Sequence, residues 1–146
     1  MHTRSLVALF ALLGALAIRS YASEPALATA AKDPQIQWGA CPEFMPQGCR
    51  LAVLHGDPGK PNADVFLKIP AGAAIPDHWH TSAERMILVA GEMRVTYRGQ
   101  PTVTLTPGMY AYGPAKHLHS GSCGKGAGEC VLFIAFESPI DAHALE

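Results

Sequence analysis

Four of the seven histidines form two closely spaced pairs, and these pairs are the residues best suited to do chemistry. The first pair is His78 and His80, and Glu84 follows four residues later. The second pair is His117 and His119. Because residues i and i+2 of a strand share a face, each pair could direct both imidazoles at one point. Two imidazoles and a carboxylate that leave coordination positions open are typical of non-haem iron sites and related metal centres.

A single His-x-His pair is more often an ordinary pair of polar residues in a surface loop. Two such pairs with a carboxylate between them favour a metal site instead. The rest of the sequence offers no competing chemistry, since it has no Ser-His-Asp arrangement, no catalytic thiol motif and no dinucleotide fingerprint. The glycine-rich segment 124–128 lacks the spacing of a P-loop and a following helix, and it is therefore interpreted as a flexible loop.

Short apolar runs bounded by turn residues supply the elements that must position these side chains. Because they recur without a helix-length periodic segment between them, they predict a β-sandwich or barrel and not βαβ units. The sequence Ala90-Gly91-Glu92 predicts a hairpin between two of the runs, 85–89 and 93–97. The strand candidates are 51–55, 63–69, 85–89, 93–97, 102–106, 109–112 and 131–136.

The composition fits one folded domain with a core of its own in a chain of 146 residues. Only 16% of the residues are charged, which excludes a disordered or polyelectrolyte chain. Eleven Lys and Arg residues against twelve Asp and Glu residues give a net charge of −1. These charges form no basic stripe, so nucleic-acid binding is not expected.

The first 22 residues are predicted to be a signal peptide. A cationic start that includes Arg4 precedes the uncharged run 6–18, and Ser20-Tyr21-Ala22 supplies small residues for cleavage. The uncharged run is too short to span a bilayer core of about 30 Å. We therefore expect an exported protein, periplasmic or secreted, with no stable membrane anchor.

Export to an oxidising compartment makes disulfides the expected state of the four cysteines. Of the three connectivities, pairing of Cys41 with Cys49 and of Cys123 with Cys130 closes two short loops rich in proline or glycine. Free thiols and a zinc site on all four cysteines are the alternatives, and the spacing within each pair disfavours zinc. Two units follow from this organisation: an N-terminal extension, 23–50, and a main domain, 51–146.

The spacing around the first histidine pair resembles the first motif of the cupin family. Gly72, His78, His80, Glu84 and Gly91 occupy every fixed position of the pattern G-x5-H-x-H-x3-E-x6-G. Each of these positions carries a residue that the motif specifies, so this match is the specific part of the resemblance.

The second cupin motif, G-x5-P-x-G-x2-H-x3-N, is met in part. Gly108, Pro114 and His119 fit it, whereas Lys116 stands in place of a glycine and Cys123 in place of the asparagine. A glycine permits the left-handed backbone that a tight turn needs, so its replacement puts the turn before the histidine in question. The two motifs together make the chain similar to a single-domain cupin.

The resemblance covers about residues 51–139 and implies an all-β fold: a cupin-type antiparallel β-barrel, also called a double-stranded β-helix or jelly roll. It implies a divalent metal ion inside the barrel, Fe, Mn, Ni, Cu or Zn. Its ligands would be three imidazoles and one carboxylate: His78, His80, Glu84 and His119. His117 has the same strand parity as His119 and is the alternative ligand at that position. An apolar lining is expected from Met86, Leu88, Val95, Leu105, Val131, Phe133 and Ala135.

The resemblance implies one of two functions, because cupins include both enzymes and binding proteins. The first is an exported metal-dependent enzyme, dioxygenase-like, that acts on a small organic molecule and uses Glu84 as its proton-moving catalytic residue. The alternative is a non-catalytic module that binds or senses a metal or a small ligand. The expected partners are a small-molecule ligand or substrate and a second copy of the chain in a homodimer.

Overall fold

Strands and turns make up the part of the chain that the computed structural model describes, residues 24–145. The seven strand candidates correspond to β2, β3, β5, β6, β7, β8 and β10, and the all-β prediction is confirmed. The apolar patterns miss β4 and β9, in which proline, glycine, serine and histidine interrupt any apolar run. In chain order the strands are β1 Gly39–Ala40, β2 Arg50–His55, β3 Ala63–Ile69, β4 Ala74–Trp79, β5 Glu84–Ala90, β6 Met93–Tyr97, β7 Val103–Leu105, β8 Tyr110–Gly113, β9 His119–Cys123, β10 Cys130–Phe136 and β11 His143–Ala144.

Two antiparallel sheets enclose the core. The six-stranded sheet has the order β1-β2-β3-β10-β5-β8, and the five-stranded sheet has the order β11-β4-β9-β6-β7. β10 lies at the centre of the larger sheet, where it pairs with β3 on one side and β5 on the other. The chain therefore crosses between the sheets at each step from β3 to β4, β5 and β6.

The predicted hairpin between β5 and β6 is wrong. β5 pairs with β10 and β8, whereas β6 pairs with β9 and β7 in the other sheet. Gly91 lies between them with a φ of 85°, and a Cβ on this residue would lie 2.7 Å from the backbone oxygen of Glu129. Gly91 therefore forms a corner that takes the chain from one sheet to the other, and a glycine signal does not distinguish such a corner from a hairpin.

Alternation along β5 directs one face of the strand into the core. Met86 and Leu88 are buried, whereas Ile87 and Val89 are about two-fifths exposed. Each buried aliphatic side chain contributes about 1.5–3 kcal/mol through the hydrophobic effect. The prediction of an apolar interior is confirmed for four of the named residues: Met86, Leu88, Val95 and Leu105.

The prediction of an interior position is wrong for Phe133 and Ala135, which are half-buried, whereas Val131 is buried but lies outside the central cluster. Phe133 packs edge to face against Phe66, with ring centroids 6.4 Å apart. Because β10 is apolar along its whole length, no alternation in the sequence shows which face points inward. The buried cluster takes the other set of residues on this strand: Cys130, Leu132, Ile134 and Phe136.

Both predicted disulfides are present. The sulfur atoms of Cys41 and Cys49 are 1.98 Å apart, and those of Cys123 and Cys130 are 2.10 Å apart. The alternatives of free thiols and of a zinc site on the cysteines are therefore excluded. Three of the four half-cystines lie in the buried cluster, so the bridges tie loops to the core: Cys49, Cys123 and Cys130.

The predicted signal peptide, residues 1–22, lies outside the described residues. The proposed division into an extension, 23–50, and a main domain, 51–146, stays a prediction. Within residues 24–145, none of the segments is a helix long and apolar enough to cross a membrane.

Candidate metal centre

Four side chains from both sheets meet inside the barrel. His78 is the next-to-last residue of β4, and His80 follows the end of that strand. His119 opens β9 and pairs directly with His78 across the ladder. Glu84 opens β5 in the opposite sheet. The cluster therefore depends on the packing of the two sheets as well as on the local His-x-His spacing.

Each of the three imidazoles is held at its Nδ1 atom by a backbone carbonyl oxygen. A carbonyl oxygen only accepts hydrogen bonds, so each Nδ1 must carry the proton. The Nε2 atom of each neutral ring then presents a lone pair, which is the form that binds metals. The three pairs are His78 with Pro76 at 2.8 Å, His119 with His117 at 2.9 Å, and His80 with Asp141.

The free ring nitrogens converge on one point. One nitrogen from each of His78, His80 and His119 lies within 4.8 Å of the other two. The Glu84 carboxylate lies 3.4 Å from Nε2 of His80 and 3.7 Å from Nε2 of His119. Three nitrogen acceptors and a carboxylate at these separations suit a divalent transition-metal ion, so the three histidines could hold a metal.

Burial keeps the cluster uncharged when it is free of metal. Desolvation lowers the pKa of His80 and of His119 to about 4 and also lowers the pKa of His78. It raises the pKa of Glu84 to about 8. The close contacts between Glu84 and the histidines are therefore contacts between neutral groups near pH 7 and not ion pairs. The lone pairs of the imidazoles remain available to a cation.

His117 lies beside the cluster but not in it. Its Nε2 atom donates a hydrogen bond to the backbone oxygen of Arg98 at 3.0 Å. Its ring centroid is 5.5 Å from that of Tyr97. The structure thus brings His119 together with the first histidine pair and leaves the side chain of His117 with a different partner.

Lys116 takes the place of the motif glycine without losing the turn. It has a φ of 60°, in the left-handed region that glycine favours. Its backbone N–H donates to the backbone oxygen of His80 at 2.7 Å. Lys116 adopts this strained backbone conformation, so the turn is retained. His119 therefore stays paired with His78.

The cluster opens into an apolar cavity of about 170 Å³. Side chains from both sheets line it, including Met86, Val95 and Ile134. The Cys41–Cys49 loop closes part of it, because Cys41, Pro42 and Met45 are among the lining residues. The cavity is large enough for a small organic molecule next to the histidines.

Three parts of the site are not indicated by the sequence motifs. Asp141 lies 61 residues after His80, so no local pattern links its carbonyl oxygen to that imidazole. The Cys41–Cys49 loop lies outside the region of cupin resemblance. Tyr97 lines the cavity, and alternation along β6 could have indicated this, because it shares a face with Met93 and Val95.

A family model described as a cupin domain matches residues 65–136. The match runs from β3 to the end of β10 and includes all three histidines of the cluster and Glu84. The chain belongs to the cupin superfamily. The predicted all-β jelly-roll fold is confirmed, since solved cupin structures share it.

Solved structures of enzymes share the fold of this cupin. One comes from the crystal structures of the DMSP lyases RdDddP and RnDddQII, with 16% identity, a TM-score of 0.67 and coverage of 77% of the cupin and 64% of that chain. The DMSP lyase DddQ from Ruegeria pomeroyi DSS-3 has 21% identity, a TM-score of 0.64 and coverage of 75% and 60%. The polyketide cyclase RemF from Streptomyces resistomycificus has 14% identity, a TM-score of 0.65 and coverage of 82% and 87%.

The cupin spans less than two thirds of the length of each lyase chain. Among curated proteins, none matches the sequence significantly. Identities at this level show the common fold alone, and function has to be argued from the site.

Proposed function

We propose that this cupin is a metal-dependent enzyme that acts on a small organic molecule. The observation that carries the proposal is the set of three imidazoles held at Nδ1 by backbone carbonyls, with their free nitrogens facing one point beside an apolar cavity. These residues could hold a divalent ion, Fe, Mn, Ni, Cu or Zn, which would supply Lewis acidity towards an oxygen of the substrate. The proposed ligands are His78, His80, Glu84 and His119.

Glu84 is the residue that we propose moves protons. Its carboxyl is buried, and in the metal-free protein desolvation raises its pKa to about 8. A cation bound beside it would favour the carboxylate form, which could accept a proton from a bound molecule. It borders the cavity as well as two imidazoles. A carboxylate with two oxygens can keep one contact within the cluster and direct the other to a bound molecule.

The reaction class predicted from the sequence is dioxygenase-like. Solved structures named as lyases and a cyclase share the fold, and they make an oxygen-independent reaction the competing outcome. Oxygen consumption separates the two classes directly, because only a dioxygenase reaction takes up O₂ in step with loss of substrate.

The test uses protein matured in the periplasm of a bacterial host, so that both disulfides form. Its metal content is measured, the metal is removed with a chelator, and parallel samples are loaded with each of the five metals. Oxygen uptake and substrate loss are then followed with a panel of enols, diketones and thiols, with and without air. Metal-dependent loss of one substrate supports an enzyme, and the need for air decides the reaction class.

Matched variants connect that activity to the site. His78→Ala or His80→Ala should abolish stoichiometric metal retention, because among residues 24–145 the three histidines of the cluster are the imidazoles grouped there and no fourth replaces the one removed. His55→Ala is the control, since His55 is more than half exposed and bonds to Glu24 outside the cavity. Full metal content in both ligand variants would refute the assignment of the site.

The alternative, a non-catalytic binding or sensing module, predicts a different result. A small molecule would then raise the melting temperature of the metal-loaded protein, and no substrate would be consumed under any of the conditions. The proposed exported location rests on the two disulfides, which persist in oxidising compartments. Fractionation of the native host cells tests it.

A further inference from the structure

His80 differs from the other two imidazoles of the cluster in the origin of its hydrogen-bond partner. The Nδ1 atoms of His78 and His119 each donate to the carbonyl oxygen two residues earlier in the chain, so the local backbone orients these rings. The Nδ1 atom of His80 donates instead to the carbonyl oxygen of Asp141, 61 residues away. His80 also lies just beyond the end of β4, whereas His78 and His119 belong to paired strands. The direction of the His80 ring therefore depends on a tertiary contact.

The backbone of His80 is held separately from its ring. The backbone N–H of Lys116 donates to the carbonyl oxygen of His80 at 2.7 Å, which fixes the peptide but not the side-chain torsions. Without an acceptor at Nδ1 the imidazole could rotate, or carry its proton on Nε2 and lose the lone pair that faces the cluster. The contact with Asp141 is thus the one that sets both the orientation and the tautomer of this ring.

The carboxylate of Asp141 holds that residue in place on two sides. Its Oδ1 atom accepts a hydrogen bond from the backbone N–H of Thr81 at 2.8 Å, and its Oδ2 atom accepts one from Nε2 of His143 at 3.1 Å. Thr81 directly follows His80 in the chain. Asp141 therefore contacts the ring of His80 through its carbonyl oxygen and the next peptide through its carboxylate, so the two contacts fix the end of β4 together.

The segment that carries Asp141 packs against the barrel on both sides of this residue. On one side β11 pairs with β4, and the ring of His143 stacks on that of Trp79 with centroids 4.1 Å apart. On the other side the backbone N–H of Ile140 donates to the carbonyl oxygen of Pro58 at 2.8 Å. These contacts hold the segment, whereas the carboxylate fixes the position of Asp141 within it. The Asp141 side chain is 32% exposed, so its replacement leaves no cavity in the core.

We propose that Asp141 is a positioning residue of the metal centre: its carboxylate fixes its own carbonyl oxygen against Nδ1 of His80 and thereby sets the affinity of the site for a divalent ion. The inference rests on the function proposed above, since it concerns the same site. It gives a role to a carboxylate that is bonded to Thr81 and His143 and not to the converging imidazoles. Loss of the outer partner of a ligating histidine weakens metal binding by about 10–100-fold in other metal sites.

Three variants of the full chain, matured with both disulfides, test the proposal. Asp141→Ala removes both carboxylate contacts. Asp141→Asn keeps an oxygen for the N–H of Thr81 and an amide nitrogen that can donate to the other tautomer of His143. Glu137→Ala is the matched control, because it removes the exposed ion pair of the same segment with Arg85. Zn²⁺ affinity is measured by competition with a chelator, and the visible absorption of Co²⁺-loaded protein records the arrangement of the ligands.

Asp141→Ala should bind Zn²⁺ roughly tenfold more weakly and change the Co²⁺ spectrum, because the His80 ring loses its fixed direction. Asp141→Asn and Glu137→Ala should match wild type in both measurements. Wild-type affinity and spectrum in Asp141→Ala would overturn the proposal. An equal loss in Glu137→Ala would also overturn it, since any loosening of the segment would then suffice. Asp141→Asn as weak as Asp141→Ala would attribute the effect to charge and refute the positioning role.

If Asp141→Ala does not fold, His143→Phe provides the test. It keeps an aromatic ring on Trp79 and removes the hydrogen bond to Oδ2 of Asp141. Zn²⁺ binding should weaken by about twofold to fivefold, the loss of one hydrogen bond, and an unchanged affinity would overturn the proposal. Failure of the wild-type protein to bind Zn²⁺ would contradict the proposed function and this inference together. Zn²⁺ binding that is insensitive to these replacements would contradict this inference alone.

Discussion

The two histidines of the second pair provide a direct test of how the metal is held. His119→Ala removes one of the three converging imidazoles, whereas His117→Ala removes a ring that bonds to the backbone of Arg98. The contact that orients His119 is made by the backbone oxygen of His117 and not by its side chain. That contact therefore survives in His117→Ala, and we expect this variant to retain metal.

The expected size of the effect follows from the number of donors. Loss of an outer hydrogen bond to a ligand already weakens metal binding by about 10–100-fold, so loss of an imidazole should cost at least tenfold. Metal at 100 times the wild-type Kd stabilises the folded state by about 2.7 kcal/mol, and a tenfold weaker site keeps about 1.4 kcal/mol. For a domain of this size the difference lowers the melting temperature by about 3–5 °C.

The assay measures zinc per chain and the melting temperature, with and without added zinc, for wild type and both variants. His119→Ala should lose most of its metal and the corresponding part of the zinc-dependent stabilisation, while His117→Ala should match wild type in both. If His117→Ala emptied the site and His119→Ala did not, the second motif would be misaligned by two residues, and the assignment of His119 would be wrong.

Three further predictions concern the surroundings of the site. Replacement of both cysteines of the Cys41–Cys49 bridge by alanine should lower the free energy of unfolding by about 2.5 kcal/mol through chain entropy, and an unchanged urea midpoint would contradict this. Gly113→Ala places a Cβ 2.5 Å from the Tyr97 hydroxyl oxygen, so the ring must shift and the free energy of unfolding should fall by about 1–3 kcal/mol; a variant as stable as wild type in urea would count against this contact. Gly126→Ala, where a Cβ would meet nothing within 4 Å, is its control. Lys116→Val should destabilise the protein by about 1–2 kcal/mol because a β-branched residue resists a φ of 60°, whereas Lys116→Gly should be tolerated; equal urea midpoints for the two variants would refute the strain argument.

The local part of the site could be predicted from the sequence because it is encoded by spacing. The separation of His78 from His80 places both imidazoles on one side of β4, and Glu84 opens the next strand after a bend. His119 needed the second motif, in which Lys116 departs from the pattern. The turn of the motif is nevertheless present in the structure, because Lys116 adopts the left-handed backbone conformation that glycine has in the motif.

The parts that the sequence did not reveal depend on contacts between distant residues. The carbonyl oxygen that orients His80 belongs to Asp141, in the segment before β11. No pattern of residue types or spacing in the sequence predicts this contact. The corner at Gly91 gives the same local signal as a hairpin, and only the pairing of β5 with β10 distinguishes the two. The interior face of β10 could not be predicted for a similar reason. Every residue of this strand is apolar and suits burial, so the sequence does not distinguish its two faces.

The position of the ligands on the fold connects metal binding to stability. His78 and His119 belong to the five-stranded sheet, Glu84 belongs to the six-stranded sheet, and His80 lies on the connection between them. An ion held by this set would link the two sheets at a point where the metal-free protein offers three imidazole lone pairs and, in the protonated Glu84 carboxyl, a donor for one of them at most. The cluster that would do the chemistry therefore lacks partners for its imidazole nitrogens when no cation is bound. Metal binding should stabilise the packing of the two sheets as a whole.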